Sequence, residues 1–424
     1  MNLPLISLKY LIAKPLSSFL NILILSLGIA IIILLLLVSR QFEGELSKNS
    51  KGLDLVVGAK GSPMQLVLCN IFHIDFPTGN IPLPEAEKLA KNPMVKKAIP
   101  LALGDSYESF RIVGTNYKYP EHYEVELGEG ELWEHELEVT IGSSVARKLN
   151  LKIGDTFNSA HGMGNAVGHE HENAPFVVKG IFKPSGSVID NLILTNIQSI
   201  WAVHEHPEEE EETENHKDHD GHDHHHEAHE QKFSPTGLPI GGDDEEITSL
   251  LLKFKSPMAA ITMPRIINEN TEMQAASPAF EITRLFSLLG VGIDIMEGFA
   301  YLMIFIAVLS IFIALFNALK ERKYDLAIMR SLGSSKSKLF VLVIIEGILI
   351  TLLSAILGLM LGHCVVESIG YFLEEGQKTG ITGLIFLPEE ILIVLGAVFI
   401  GIFTAFIPAV QAYKTDISKI LAQG

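Results

Sequence analysis

FLNILILSLGIAIIILLLLV, residues Phe19 to Val38, contains no charged side chain. About 20 apolar residues in a helix cross a ~30 Å hydrocarbon core, so this stretch by itself marks a membrane protein. Lys9 and Lys14 precede it as they would precede a secretory signal. The run is longer than a signal-peptide h-region, however, and no small-x-small cleavage site follows Ser39-Arg40-Gln41, so a retained anchor is predicted. A lipobox-like Leu66-Val67-Leu68-Cys69 lies too far downstream to act as a lipoprotein signal.

Three further runs of similar length occupy Met296–Leu319, Phe340–His363 and Ile391–Ala412. Residues 41–290, mostly polar, separate the first run from the second, and the later connections are short. The expected fold class is a membrane protein with four transmembrane α-helices and a large α+β extracytoplasmic domain between the first and second. In chain order this gives a cytoplasmic N-terminal segment (1–16), helix 1 (17–40), the outer domain (41–290) and helix 2 (291–319). A cytoplasmic connector (320–338), helix 3 (339–363), an outer loop (364–388), helix 4 (389–412) and a cytoplasmic tail (413–424) complete it.

Orientation follows from lysine and arginine in short loops, which resist translocation. Lys320, Arg322, Lys323, Arg330, Lys336 and Lys338 crowd the second–third connector, whereas the next loop holds only Lys378 beside Glu367, Glu374 and Glu375. The connector and both termini are therefore expected in the cytoplasm, in agreement with Lys414 and Lys419. Arg40, Lys48 and Lys51 oppose this mildly, but they open a long domain that translocates regardless of charge. The chain carries −18, and counting residues 41–290 gives −19, so the outer domain holds essentially all of it. That balance excludes nucleic-acid binding, which needs a basic stripe. Two cysteines, Cys69 and Cys364, make no disulfide framework.

Within the outer domain, Glu43–Lys51 continues the first helix, and strands are predicted at Leu53–Gly58, Phe110–Gly114, Phe176–Phe182, Asn191–Thr195 and Ile247–Phe254. Helices are predicted at Pro84–Lys91 and Ile141–Asn150, the latter capped by Ser143 or Ser144. Acid-rich Glu121–Glu138, with Trp133 inside, reads as a surface loop or ribbon, and the mixed order points to an α+β domain in one or two lobes.

Between His204 and Glu230 the chain is a low-complexity run of histidine and acid. His204, His206, His216, His219, His222, His224, His225, His226 and His229 offer imidazoles to zinc or copper, and the carboxylates concentrate cations, although no fixed ligand spacing is present. The competing reading is a hydrophilic, solvated insertion. His161, His169 and His171 form a second group that reads either as ligands or as an exposed hairpin.

The most specific motif is Lys320-Glu321-Arg322-Lys323-Tyr324-Asp325-Leu326-Ala327-Ile328-Met329-Arg330-Ser331-Leu332-Gly333-Ser334-Ser335. Leu326, Met329 and Arg330 fall at helical spacing, Gly333 suits a C-terminal cap, and Ser334 can start the next element. A short helix lying under the membrane would present one side to a partner. This segment resembles the coupling helix of FtsX/MacB/LolC-type ABC transporter permeases, R-x-x-E-I-x-x-L-R-x-L-G-A-S, with Asp325 at the usual Glu and Ser334 at the usual Ala. The four-span plan, the Gly142–Asp155 segment and the Val178–Phe182 strand also resemble the MacB-type core, whereas the histidine-rich run departs from it.

The resemblance implies a permease dimer bound to two copies of a cytoplasmic ATPase that carries the ATP and Mg²⁺. It places coupling on Glu321, Arg322, Tyr324, Asp325, Leu326, Ile328, Met329, Arg330, Leu332 and Gly333. It also implies mechanotransmission, in which stalk helices pass movement outward with no substrate path through the membrane. Independently, no G-x-x-x-x-G-K-[ST] loop occurs, so this chain is expected to be non-catalytic and its energy source to lie elsewhere. Glu346 is the ionisable exception in the third span and is expected to hydrogen-bond a neighbouring helix or the interface. Gly358-x-x-x-Gly362 permits close helix approach without naming a partner.

Three functions follow: export or extraction of a substrate, FtsX-like regulation of a cell-wall hydrolase, and metal-linked transport or sensing of zinc or copper. Membrane lipid and a periplasmic adaptor, lipoprotein or hydrolase are the further partners. The size of the outer domain favours the first.

Overall fold

The computed structural model describes residues 3–13, 15–161, 174–205, 234, 236–372 and 381–414. They fall into two compact units, residues 1–44 with 288–424, and residues 45–287.

The membrane unit is helical. Helix α1 spans Leu3–Ala13, and α2 spans Pro15–Ser50, with its last residues counted in the other unit. Proline at the first position of α2 fits because the first N–H groups of a helix have no internal partner. The helix continues through Glu43–Lys51 almost as the sequence predicts. Helix α9 spans Pro278–Glu321, α10 Lys323–Ser331, α11 Lys336–Phe372 and α12 Pro388–Lys414. Four of these, α2, α9, α11 and α12, are long and apolar enough to cross a membrane and contain the four predicted runs. Their outward faces are apolar, as lipid requires: Phe299, Phe305, Phe399 and Phe403 are all exposed.

Small residues set the helix spacing. A Cβ on Gly358 would lie 2.8 Å from the Cβ of Ile29, and one on Gly362 would lie 2.6 Å from Ile33 Cγ2. The Gly-x-x-x-Gly pair therefore seats α11 against α2, the partner the motif did not specify. Gly347 and Gly401 bring α11 and α12 equally close, since a Cβ on Gly347 would meet the Gly401 carbonyl at 2.7 Å. Helix α1 docks on α11, where the Ser7 hydroxyl donates to the Leu342 carbonyl at 3.2 Å. The sequence reading had no separate helix there.

The other unit is built on one sheet. Its strands are β1 (Leu55–Ala59), β2 (Ile81–Pro82), β3 (Val95–Tyr107), β4 (Phe110–Gly114), β5 (Leu127–Gly130) and β6 (Glu138–Ile141). They continue as β7 (Thr156–Phe157), β8 (Ala160–His161), β9 (Phe176–Phe182), β10 (Leu192–Thr195), β11 (Glu246–Ile247), β12 (Ser249–Phe254) and β13 (Met273–Ala276). Among the described residues the order is β13-β1-β12-β3-β4-β10-β6-β9-β5, with β7 on β9, β8 on β3, and β11-β2 as a separate pair. Pairing is antiparallel except β10 with β4 and β6 with β9. The long β3 carries the sheet across, pairing β12 over its first half and β4 over its second with a register shift at Leu103/Ser106, so the strands form a continuous sheet rather than two lobes.

Period-two alternation fills both faces. Leu250, Leu252 and Phe254 enter one core and Leu251 the other. Helices α4 (Leu83–Ala90), α6 (Ser143–Leu149), α7 (Ile197–Glu205) and α8 (Pro257–Asn270) cover the first face, while α3 (Pro63–Ile71) and α5 (Lys118–His122) cover the second. Two local expectations are corrected. Trp133 is fully buried, ring against Tyr117, so the indole anchors the acid-rich segment while Glu121, Glu124, Glu126, Glu129, Glu131 and Glu134 stay exposed. The N-cap of α6 is Gly142, not Ser143 or Ser144, with Ser143 already helical. A Cβ on Gly142 would collide with the carbonyls of Ile189 and Asp190, so the cap position is too close to backbone for a serine. Both cysteines are free, Cys69 buried and Cys364 exposed.

Candidate coupling site

The connector between the second and third apolar runs folds as predicted, into a short helix. Arg322 alone separates α9 from α10 and takes the N-cap position of α10. Asp325 lies in the first turn of α10 and Arg330 in the last, each of the sign the helix dipole favours. Gly333, at φ +95°, ends the helix: its N–H donates to the Arg330 carbonyl and that of Ser334 to Met329, both at 3.0 Å. This is a Schellman closure, which a left-handed glycine makes without steric cost. The next helix is capped one residue later than expected, by Ser335, whose hydroxyl accepts from the Lys338 N–H at 3.3 Å.

The two sides of α10 differ. Leu326 and Ala327 are buried in the core of the membrane unit, with Met329 packed against it. Tyr324, Ile328 and Leu332, spaced by four, are exposed by 51%, 38% and 82%. The sequence reading offered Leu326 to a partner; its side chain instead holds the helix in place, and the outward stripe is the one four residues apart. Glu321 and Asp325 are exposed beside that stripe.

Arg322 is the centre of the site. Its Nη1 donates to Glu346 Oε1 and Oε2 at 3.2 and 3.4 Å, and its Nη2 donates to the Tyr10 carbonyl at 3.4 Å. The guanidinium also lies 3.9 Å from the centroid of the Tyr10 ring. Only 13% of the Arg322 side chain and 8% of that of Glu346 are exposed, so each charge depends on the other. The adjoining space, lined by Tyr10, Leu315, Arg322, Leu342 and Glu346 among others, is about 20 Å³, enough for a water and too small for a substrate. Glu346 thus has the hydrogen-bonding role expected of it, and its partner is the arginine that opens α10.

The histidine candidates are placed unevenly. His204, in the last turn of α7, has Nε2 3.7 Å from Asp105 Oδ1, and buried Asp105 also accepts from the Ser159 hydroxyl at 2.9 Å. His204 lines a cleft of about 520 Å³ with Trp201, Asp244 and Glu245. His161 lies in β8, its backbone in register with Asp105. His169, His171, His206, His216, His219, His222, His224, His225, His226 and His229 lie outside the described residues. Among the described residues, no group of three or more His, Cys, Asp or Glu side chains is arranged to hold a metal ion.

Residues 298–417 match the FtsX-like permease C-terminal family, and residues 18–216 match the MacB-like periplasmic core domain. No curated protein matches the chain. Among solved structures, the chain is similar to the periplasmic region of MacB from Actinobacillus actinomycetemcomitans, at 12% identity and a TM-score of 0.33 over 57% of this chain and 97% of that one. It is also similar to the extracellular domain of the noncanonic ABC-type transporter YknZ from Gram-positive bacteria, at 11% identity and a TM-score of 0.30 over 52% and 98%. With four apolar helices around the connector and a periplasmic-type domain inserted between the first and second, the chain belongs to the FtsX/MacB type of ABC transporter permeases.

Proposed function

We propose that this permease converts ATP-driven motion of a separate cytoplasmic ATPase into motion of its extracytoplasmic domain, and so exports or extracts a substrate without conducting it between its own helices. The observation that carries the reading is the Arg322 node, which ties the start of α10 to α1 and α11 through buried contacts. A push on the exposed Tyr324, Ile328 and Leu332 stripe has a stiff path into the membrane helices, because Leu326 and Ala327 pack inward from the same short helix. Helices α2 and α9 contain 36 and 44 residues, or about 54 and 66 Å, well beyond a ~30 Å hydrocarbon core. They have the length that outward transmission needs.

In this reading α10 and both termini face the cytoplasm, as the basic connector requires. Two copies of the permease engage two ATPase subunits, and the ATP and Mg²⁺ belong to those subunits. Tyr324, Ile328 and Leu332 make the contact, Glu321 and Asp325 flank it, and Arg322, Leu326, Met329, Arg330 and Gly333 hold the helix that presents it. The test is reconstitution with the cognate ATPase. Ile328→Asp is expected to abolish stimulated ATP hydrolysis while leaving the permease folded; retention of full stimulation would overturn the assignment.

A further inference from the structure

Residues 45–50, the last of α2, belong to the same compact unit as the large sheet. Beyond Ser50 the chain turns through Gly52, at φ +82°, and enters β1 at Leu55. Strand β1 pairs with β12 and β13, so the covalent path out of α2 leads to one side of the long β3. Hydrogen bonds from the same turn of α2 reach the other side. Asn49 Oδ1 accepts from the Val188 N–H at 3.1 Å, and the Asn49 carbonyl accepts from the Tyr123 hydroxyl at 3.0 Å. Val188 opens a 3-10 turn, Val188–Asn191, that runs directly into β10, and Tyr123 follows α5, the helix that comes after β4. One residue earlier in α2, Lys48 Nζ donates to the carbonyls of Ser185, at 3.0 Å, and Gly186.

Both partners in this contact are held firmly. Asn49 is 4% exposed, so its amide oxygen has little access to water and relies on the Val188 N–H. Its Nδ2 donates to Glu45 Oε2 one turn back, at 3.3 Å, which fixes the amide the right way round. The loop that meets it is organised by Asp190, whose carboxylate accepts from the Ser185 N–H and hydroxyl, each at 2.9 Å, and from the Gly186 N–H at 2.7 Å. With those N–H groups turned to Asp190, the carbonyls of the same two residues are presented to Lys48. Gly186, at φ +64°, permits the approach, since a Cβ there would lie 2.9 Å from Lys48 Nζ. Tyr123 is set edge-on against fully buried Tyr119, with ring centroids 5.3 Å apart.

Between the two sides of the sheet, β3 pairs with β4 through the register shift at Leu103/Ser106. A ladder is interrupted at such a shift and the strand bends there, so a pull delivered through β1 alone meets a compliant point before β4 and β10. We infer that Asn49 is a positioning residue that fastens the last turn of α2 to the β4 and β10 side of the sheet, so that under the transmission proposed above both sides follow α2 together.

Amide hydrogen exchange on the full chain in detergent tests the fastening with no partner present. Asn49→Leu keeps the bulk of the side chain, suits a helix and removes the amide. Exchange of the peptide covering 185–195 is expected to rise about tenfold, the order of one net hydrogen bond, while that of the peptide covering 51–59 stays at the parent level. Tyr123→Phe removes only a hydroxyl and should loosen the peptide covering 117–125 in the same way, which keeps the inference testable should Asn49→Leu fold poorly. Parent-like exchange at 185–195 in a folded Asn49→Leu, or at 117–125 in Tyr123→Phe, overturns it. The second measurement adds the cognate ATPase and compares exchange with and without ATP. The parent should respond in both 51–59 and 185–195, whereas Asn49→Leu should respond in 51–59 and no longer in 185–195; a response kept in 185–195 overturns the inference. A parent that responds in neither peptide counts against transmission itself, and the fastening then stands or falls on the exchange measured without the ATPase.

Discussion

One guanidinium nitrogen of Arg322 sits between the two carboxylate oxygens of Glu346, 24 residues away in the chain, and this buried pair joins the connector helix to the span that follows it. Removing one partner strands the other charge in a low-dielectric site. Glu346→Ala is expected to destabilise the membrane unit by about 3–5 kcal/mol, whereas the double change Arg322→Met with Glu346→Leu should recover most of that loss. Thermal unfolding in detergent checks the stabilities. If the pair also transmits motion, the double variant will be stable and still fail to stimulate its ATPase.

Arg322→Lys separates charge from shape. An ammonium keeps the attraction to Glu346 but cannot stack flat on the Tyr10 ring or reach the Tyr10 carbonyl with a second nitrogen. A loss of about 1–2 kcal/mol is expected, comparable to a net charged hydrogen bond plus part of a cation–π contact. The same unfolding measurement reads it, and parent-like stability would show that the Tyr10 contacts contribute nothing.

The glycines of the membrane unit are not equivalent. Gly396, inside α12, has open space where a Cβ would be, so Gly396→Ala should stabilise by about 0.5–1 kcal/mol through helix propensity. Gly358→Leu must displace Ile29 and the Ser26 carbonyl, and overpacking of this kind costs about 1–3 kcal/mol. Opposite shifts in melting temperature are the expected result.

Acid should weaken the large domain. Burial, with Lys97 and Lys253 nearby, lowers the His122 pKa from 6.5 to about 4, and burial beside Arg111 holds that of His73 well below the usual imidazole value. The fold therefore favours both neutral imidazoles; the associated stability is complete above pH 6.5 and, for His122, is lost as the pH falls through about 4. His122→Gln should lose less stability than the parent between those values. The protein has two tryptophans, Trp133 and Trp201, both in this domain, so urea unfolding followed by tryptophan fluorescence reports on it within the full chain.

The four spans were legible because length and apolarity in one run leave little alternative. The connector helix was legible from Gly333, whose left-handed backbone ends it. Which side of that helix faces outward was not legible, since Leu326 and Ile328 are both apolar and periodicity defines faces without saying which is buried. The Arg322–Glu346 pair escaped because neither residue signals its partner across two helices. Trp133 was misplaced because the surrounding glutamates dominated the composition of its segment. Helix α1 was missed because it runs into α2 with only Lys14 between them.

The contacts that close the membrane unit join residues made far apart in time. Ser7 bonds a residue 335 positions later, and Tyr10 meets one 312 positions later. At about 5–20 residues per second, a ribosome needs roughly 15 to 70 s to deliver Leu342 after Ser7. For that interval α1 and the start of α2 are without the neighbours they pack on, and their buried hydroxyl and aromatic contacts have to wait for the last third of the chain.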